Sequence, residues 1–173
     1  MNIEIREIDI DHAGELSALA AKIYKQYFLY LWNDEGEWYI NRTYHVNIIT
    51  DELADSNNLH FIACKNEQPA GYIKIRKNAT LEGHENNHCL EVERIYILQE
   101  AAGSGLGKQL MQVAFDFARS LKKDIVFLKS MDSSINSIAF YKKLGFEICG
   151  KLTLPFDQMK EEYRGMCILK KEM

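Results

Sequence analysis

The fold is decided by the run Ala102-Gly103-Ser104-Gly105-Leu106-Gly107-Lys108. A strand-like run at residues 90–97 precedes it, and apolar residues recur every three or four positions over residues 106–121, which predicts an amphipathic helix. A strand, a glycine loop and a helix N-terminus form a typical anion site, because glycine lets the backbone approach a ligand and free N–H groups favour phosphate. A tight turn that binds nothing is the alternative at this point.

The spacing of the glycines excludes two common phosphate-binding loops. The pattern is G-x-G-x-G, whereas dinucleotide-binding folds use G-x-G-x-x-G, and no acidic residue follows about 20 residues later at the end of a second strand. The P-loop requires Ser or Thr after Gly-Lys, but Gln109 follows Lys108. The ligand of this loop has to be inferred from the rest of the chain.

Periodicity predicts the other elements. A first strand covers residues 3–8, and a helix that Asp11 can cap follows it. Further helices are predicted from about residue 37, through residue 53 and over residues 135–144, where Gly145 ends the last one. Further strands are predicted over residues 59–65, 70–76, 125–128, 146–153 and 163–170.

A second segment, Ala139-Phe140-Tyr141-Lys142-Lys143-Leu144-Gly145-Phe146, follows the loop after one helix and one strand, at the end of the next helix. The two segments together resemble the GNAT superfamily of acyl-CoA-dependent N-acyltransferases, which pairs a Q/R-x-x-G-x-G/A pyrophosphate loop with a downstream A-x-x-F/L-Y-x-x-x-G-F helix end. Residues 70–75 and 90–97 look most like the PaiA-type spermidine/spermine acetyltransferases. The resemblance implies one GNAT domain over residues 1–173, with an α+β fold in which helices flank a single twisted mixed β-sheet of six to seven strands.

The resemblance also implies acetyl-CoA as co-substrate, with no metal. It assigns to CoA the strand end, the glycine loop and parts of the later helix: Ile95, Tyr96, Ile97, Ala102, Gly103, Ser104, Gly105, Leu106, Gly107, Lys108, Ser134, Ser137 and Lys143. Ala102 stands where the family has Gln or Arg, Ser134 where it has the Asn that contacts the pantetheine arm, and Ser137 where it has Ala. The loop amides remain, so we expect CoA binding, weakened by about 1–2 kcal/mol if a charge-assisted bond is lost.

Acyl transfer to an amine requires a proton acceptor. At pH 7 an alkyl ammonium with a pKa near ~10.4 loses its proton at a cost of about 4.6 kcal/mol. Glu91 and Glu93 alternate on one face of the strand and are the candidate bases, although both could be solvated strand residues. The resemblance assigns the base to Glu91, and it assigns to Tyr141 the protonation of the leaving thiolate. An ordinary aromatic at a helix end is the alternative for Tyr141.

Aromatic residues are concentrated near the N-terminus, where eight of the 19 fall within residues 24–44 with acidic residues between them. Aromatic faces and carboxylates suit an alkylammonium through cation–π and ion-pair contacts. We therefore expect this segment to bind the acceptor through Tyr30, Trp32, Glu35 and Trp38, and we expect a small amine, with a polyamine as the leading candidate. A helical pair packed on the sheet, with an acidic turn in water, would produce the same pattern.

Composition limits the partners. The net charge of −4 and the pI of about 5.8 argue against a nucleic-acid surface. No apolar run reaches about 18 residues and residues 1–4 do not look like a signal peptide, so we expect no membrane partner and a cytoplasmic location. The final pair of strands is compatible with a homodimer.

These patterns predict an N-acetyltransferase that moves an acetyl group from acetyl-CoA to a primary amine by direct attack in a ternary complex. Two alternatives stay open. The departures at Ala102 and Ser134 are compatible with a non-catalytic, acyl-CoA-binding regulatory module. A protein N-terminus or lysine could also be the acceptor; an open acceptor groove would favour that, whereas a closed aromatic pocket would favour a small amine.

Overall fold

Residues 2–173, which the computed structural model describes, form one seven-stranded sheet with helices around it. The elements are β1 (Ile3–Glu7), α1 (Ala13–Tyr27), α2 (Glu37–Tyr44), α3 (Val46–Ala54), β2 (Asn58–Lys65), β3 (Gln68–Ala79), β4 (Cys89–Ile97), α4 (Leu106–Ser120), β5 (Ile125–Met131), α5 (Ile135–Lys143), β6 (Glu147–Thr153) and β7 (Gly165–Glu172). The strand order is β1-β2-β3-β4-β5-β7-β6, with β4 and β5 parallel and the other neighbours antiparallel. This confirms the predicted mixed sheet flanked by helices.

The prediction that Asp11 caps the first helix is wrong. Asp9 is the capping residue, and its carboxylate accepts a hydrogen bond from the Asp11 amide at 3.0 Å. Asp9 and His12 form a capping box around a short 3-10 turn, so α1 begins only at Ala13. Asp9 and Asp11 are two positions apart in the sequence. Because the short 3-10 turn precedes α1, the capping position is at Asp9 and not at Asp11.

Different helices cover the two faces of the sheet, as the contacts of β3 show. Successive residues of β3 point to opposite faces. Lys74 contacts Glu52 of α3, whereas Gly71 faces Leu106 at the start of α4. A Cβ atom at Gly71 would lie 2.9 Å from the carbonyl oxygen of Tyr96, so only glycine allows this close approach. The glycine loop before α4 is thereby held against β4.

The most consequential feature of the sheet is where β4 and β5 stop pairing. Their parallel ladder comprises the pairs Cys89–Ile125, Leu90–Val126 and Glu91–Phe127. Beyond these pairs β4 continues along β3, and β5 continues along β7. The strands therefore diverge, and the backbone groups of residues 92–97 that face away from β3 have no partner strand within the described chain.

A β-bulge at Glu93 lies where this divergence begins. Lys74 of β3 pairs with Arg94 and the next residue, Ile75, pairs with Val92, so Glu93 is the extra residue on β4. Such an insertion re-aims side chains that strict alternation would send to opposite faces. Glu93 and Arg94 accordingly both reach the α3 side of the sheet, where they contact Lys74 and Glu52 respectively.

Candidate active site

The opening between β4 and β5 forms a cleft of about 760 Å³. Its walls are residues 92–97 of β4 and residues 128–131 of β5. The glycine loop and the start of α5 line one end, and aromatic residues of the N-terminal helices line the other. The cleft therefore brings together segments that are far apart in the sequence.

At the loop end, the N-terminus of α4 opens onto the cleft. Gly105 precedes the helix in the left-handed conformation (φ 84°), and a Cβ atom there would meet only open space. The first amides of α4 have no acceptor within the helix, so they are available to an anion. The cleft lining on this side includes six of the predicted CoA residues: Ala102, Gly103, Gly105, Leu106, Gly107 and Lys108.

Two predicted CoA residues lie outside this lining. The Ser104 hydroxyl donates a hydrogen bond to the Ala101 carbonyl at 2.6 Å, which fixes the loop. Lys143 is exposed at the end of α5. Their assignment to CoA stays a prediction.

The start of α5 faces the glycine loop across the cleft. Ser134 and Ser137 line it as predicted, and so does Asn136, which the sequence analysis missed. The resemblance implies an amide only at position 134, where this chain has Ser. Asn136 therefore brings a carboxamide to this part of the cleft from two residues further along.

Tyr141 lies on the last turn of α5 and reaches the cleft while being only 8% exposed. Its ring packs edge-on against Phe140 and Phe146. Burial raises the pKa of the Tyr141 phenol above its ordinary value. The phenol is therefore protonated at neutral pH and can act as a proton donor.

The two candidate bases occupy different places. Glu91, 4% exposed, lies before the strands diverge and outside the cleft lining. Its carboxylate accepts a hydrogen bond from Arg76 at 3.3 Å and lies 3.7 Å from the Lys129 ammonium. Glu93 lines the cleft, with a side chain that is 30% exposed and an ion pair to Lys74.

Glu93 belongs to a largely buried charge cluster, whose other members are Glu52, Lys74 and Arg94. Glu52 accepts two hydrogen bonds from Arg94, at 2.7 and 2.9 Å, and lies 3.1 Å from the Lys74 ammonium. Burial alone would raise the pKa of Glu52, but the nearby His60 ring, the Arg94 guanidinium and the Lys74 ammonium hold it well below its usual range. Two carboxylates thus face two cations.

The acceptor end differs from the sequence prediction. Trp32 lines the cleft, but Tyr30, Glu35 and Trp38 do not. Tyr30 shares a hydrogen bond with the Ser133 hydroxyl at 2.9 Å, Glu35 is exposed, and Trp38 lies behind Trp32. The cleft wall is instead built from a ladder in which Tyr39 stacks on both Tyr24 (5.0 Å) and Trp32 (4.8 Å).

At this end of the cleft, two loops are joined by backbone pairing. Trp32 and Met159 form an isolated antiparallel bridge. Beside it, the Asn33 amide donates to the Gln158 carbonyl at 2.9 Å, and the Lys160 amide donates to the Leu31 carbonyl at 2.8 Å. The segment between β6 and β7 is therefore fastened across the acceptor end.

Among residues 2–173, no group of three or more His, Cys, Asp or Glu side chains is arranged to hold a metal ion. No helix within these residues has the length and apolar character needed to cross a membrane.

A family model described as the Acetyltransferase (GNAT) family matches residues 18–146. The match covers most of the chain and includes the glycine loop, the Tyr141 helix and both edges of the cleft. The chain therefore belongs to the GNAT acetyltransferase family, which confirms the resemblance seen in the sequence.

Curated relatives are distant. An uncharacterized N-acetyltransferase from the pepI 3′ region of Lactobacillus delbrueckii subsp. lactis is 25% identical over 107 residues, 62% of each chain. An uncharacterized N-acetyltransferase of Methanocaldococcus jannaschii is 25% identical over 146 residues, 83% of this chain and 60% of the relative. The matches thus span about 60% of these relatives' lengths.

Solved structures share the fold over nearly the full length. The PaiA N-acetyltransferase of Thermoplasma acidophilum, in complex with coenzyme A, has a TM-score of 0.78 at 20% identity, covering 100% of both chains. YncA of Salmonella typhimurium, solved with acetyl-CoA, has a TM-score of 0.72 at 17% identity, covering 98% of this chain and 93% of that one.

The glycine loop gives the first prediction. Gly105→Asp places a carboxylate beside the amides that would bind phosphate, so we expect the affinity for CoA in calorimetric titration to fall at least 100-fold. Gly83→Asp is the matched control, because Gly83 also has a positive φ (80°) and open space but lies on a distant loop. Equal affinity of the two variants would contradict the anion site.

The charge cluster gives the second prediction. Glu52→Gln leaves Lys74 and Arg94 buried without their main carboxylate, which should lower the free energy of unfolding by about 3 kcal/mol at pH 7. Because the folded-state pKa of Glu52 is lowered, its contribution is present above about pH 4.3 and is lost as the pH falls further. Urea unfolding from pH 7 to pH 3 should therefore show the wild type converging on the variant.

Glu162→Gln provides the control for this measurement, since Glu162 is exposed on a short turn after β6. It should change the unfolding free energy by less than about 0.5 kcal/mol. If Glu52→Gln behaved like Glu162→Gln at pH 7, the cluster would not be stabilising.

Proposed function

We propose that the protein is an acetyl-CoA-dependent N-acetyltransferase that acts on the primary amine of a small molecule by direct attack in a ternary complex. One observation carries the proposal. The cleft that opens where β4 and β5 diverge has the glycine loop, Glu93 and Tyr141 on one continuous lining. An anion site, a proton acceptor and a proton donor are thus available to a single reaction centre.

The loop end suits the phosphates of an acyl-CoA. The amides at the start of α4 and the Lys108 ammonium can hold the pyrophosphate, and the Cβ-free positions at Gly103 and Gly105 leave room for close approach. Asn136 and Ser137 on α5 offer polar groups to the pantetheine arm. Acetyl-CoA supplies the activated acetyl group when it is bound.

Backbone amides of β4 can stabilise the transition state. The gap exposes the edge of residues 92–97 that would otherwise pair with β5. Negative charge develops on the thioester oxygen during attack, and fixed N–H donors in a water-poor cleft stabilise such charge. The divergence of the strands therefore supplies both the binding space and the donors.

Glu93 is the carboxylate that we assign to deprotonation of the amine. Both candidate bases are ion-paired, Glu93 with Lys74 and Glu91 with Arg76, but only Glu93 lines the cleft. Accepting the proton directly or through water as the amine attacks contributes about 10²–10⁴-fold to the rate, against a cost of roughly 4.6 kcal/mol for using a neutral amine at pH 7. The assignment of the base to Glu91 stays a sequence-based prediction that the same experiment tests.

Tyr141 is the group that we assign to protonation of the departing thiolate. Its phenol keeps its proton at neutral pH because burial raises the pKa. The alternative of a regulatory module that only binds acyl-CoA gains support from Ala102 and Ser134, but Asn136 and the loop amides weigh against a weakened site.

The acceptor end supports a small-molecule acceptor over a protein. The bridge between Trp32 and Met159, with its flanking hydrogen bonds, fastens the segment between β6 and β7 at that end, which favours a small acceptor over a protein segment. A polyamine is the acceptor that the sequence favours. A cytoplasmic location and a homodimer also remain predictions from the sequence.

The pH dependence of turnover tests these roles. Glu93→Gln should lower kcat at least 100-fold at pH 7 and recover about tenfold per pH unit as the free amine becomes available at higher pH. Tyr141→Phe should lower kcat at least tenfold without such recovery at alkaline pH. Release of free CoA thiol and mass detection of the acetylated amine are the measurements.

Glu91→Gln separates the two candidate bases in the same assay. We expect it to keep the wild-type shape of the pH profile. If Glu91→Gln shows the alkaline recovery and Glu93→Gln does not, the base is Glu91. Absence of any acetylated amine from the wild type, despite CoA binding, would support the regulatory alternative.

A further inference from the structure

We propose that the acceptor is a monoamine whose amino group is carried on an aromatic or apolar body, and that polyamines are disfavoured. This inference rests on the proposed acetyltransferase function and concerns the substrate class of the same cleft. It follows from the charges and surfaces that line the acceptor end.

The charges on the cleft lining are the first argument. Within residues 2–173, Glu93 is the single acidic residue on this lining. The cations that also line it are used elsewhere, because Arg94 is paired with Glu52, Lys129 lies beside Glu91, and Lys108 is at the loop end. A monoamine needs one carboxylate, and one is present. A polyamine carries further ammonium groups, which would have to be desolvated without a second carboxylate.

The acidic residues that suggested a polycation site are used elsewhere. Asp34 caps α2, because its carboxylate accepts hydrogen bonds from the Gly36 and Trp38 amides at 3.1 and 2.8 Å. Glu35 and Glu37 are exposed and lie outside the cleft lining. Glu52 is bound to Arg94 and Lys74. None of these carboxylates is placed to receive a second ammonium inside the cleft.

The surface of the acceptor end is the second argument. The Trp32 indole N–H donates to the Tyr24 hydroxyl at 2.8 Å, so the polar atom of the indole is satisfied and does not need the ligand. Phe28 packs edge-on against Tyr96, and Phe156 lies against the Trp32 ring. Such aromatic walls bind a flat or apolar body through burial and ring–ring contacts.

The loops at this end of the cleft add to the effect of the charges. The Trp32–Met159 bridge joins the segment between β6 and β7 to the loop after α1, beside the aromatic wall. The distal ammonium of a bound diamine would lie among aromatic and thioether side chains without a carboxylate, so cation–π attraction alone would have to offset its desolvation. An apolar chain of the same length carries no such penalty.

The test is calorimetric titration of the CoA-loaded protein with n-hexylamine and with 1,6-diaminohexane, which differ only by the second amino group. We expect n-hexylamine to bind at least tenfold more tightly, and 2-phenylethylamine to bind more tightly than spermidine by at least the same factor. Equal or tighter binding of 1,6-diaminohexane and spermidine would overturn the inference.

Two variants test whether the amine binds at the acceptor end of the cleft. Phe156→Ala should weaken 2-phenylethylamine binding at least fivefold, whereas Phe117→Ala should leave it unchanged, because Phe117 packs against Phe61 and lies outside the cleft lining. Equal effects of the two variants would contradict binding at the acceptor end.

Turnover of the same four amines with acetyl-CoA separates the inference from the proposed function. Preferential acetylation of spermidine would refute the inference and leave the acetyltransferase function standing. Preferential binding of the monoamines without any acetylated product would support the inference about the ligand class and refute the proposed function.

Discussion

The protein depends on the point at which β4 and β5 stop pairing. The two strands share three residue pairs, the last being Glu91–Phe127, and each then follows only its other neighbour. A continuous sheet would satisfy more backbone hydrogen bonds, so the gap leaves donors and acceptors to be used by something else. The glycine loop, Tyr141, Glu93 and the aromatic wall all border this gap. If β4 and β5 paired along their whole length, the protein could keep its helices and core but would have no reaction centre.

The bulge at Glu93 connects this gap to the buried charge cluster. Desolvating charges is expensive, and attraction between them compensates only when the geometry is good. The paired hydrogen bonds between Arg94 and Glu52, with Lys74 bridging to Glu93, meet that condition. Because two carboxylates oppose two cations, the cluster holds Glu93 at the cleft while adding little net charge to it. The same arrangement can therefore position the proposed base while leaving no second carboxylate free for a polycation.

The sequence predicted the fold and the loop end well, because both depend on local patterns. The glycines at 103, 105 and 107 and the Tyr141 segment have spacings that few folds share, and the family match confirmed the family that these spacings indicate. The acceptor end could not be predicted in the same way, since it depends on pairing between distant segments. Strict alternation places Arg94 opposite Glu93, and only the bulge brings both to the α3 side. Asp34 is one of the acidic residues between the aromatics of residues 24–44, but its carboxylate is used by the amides at the start of α2.

The most direct test of the account is a crystal structure of the protein with acetyl-CoA. The account predicts the pyrophosphate on the amides that begin α4, the pantetheine arm between β4 and β5, and the sulfur within reach of the Tyr141 hydroxyl. It also predicts that the thioester oxygen faces a β4 amide that has no partner strand. Acetyl-CoA bound elsewhere, or β4 and β5 paired to their ends with no space between them, would contradict it.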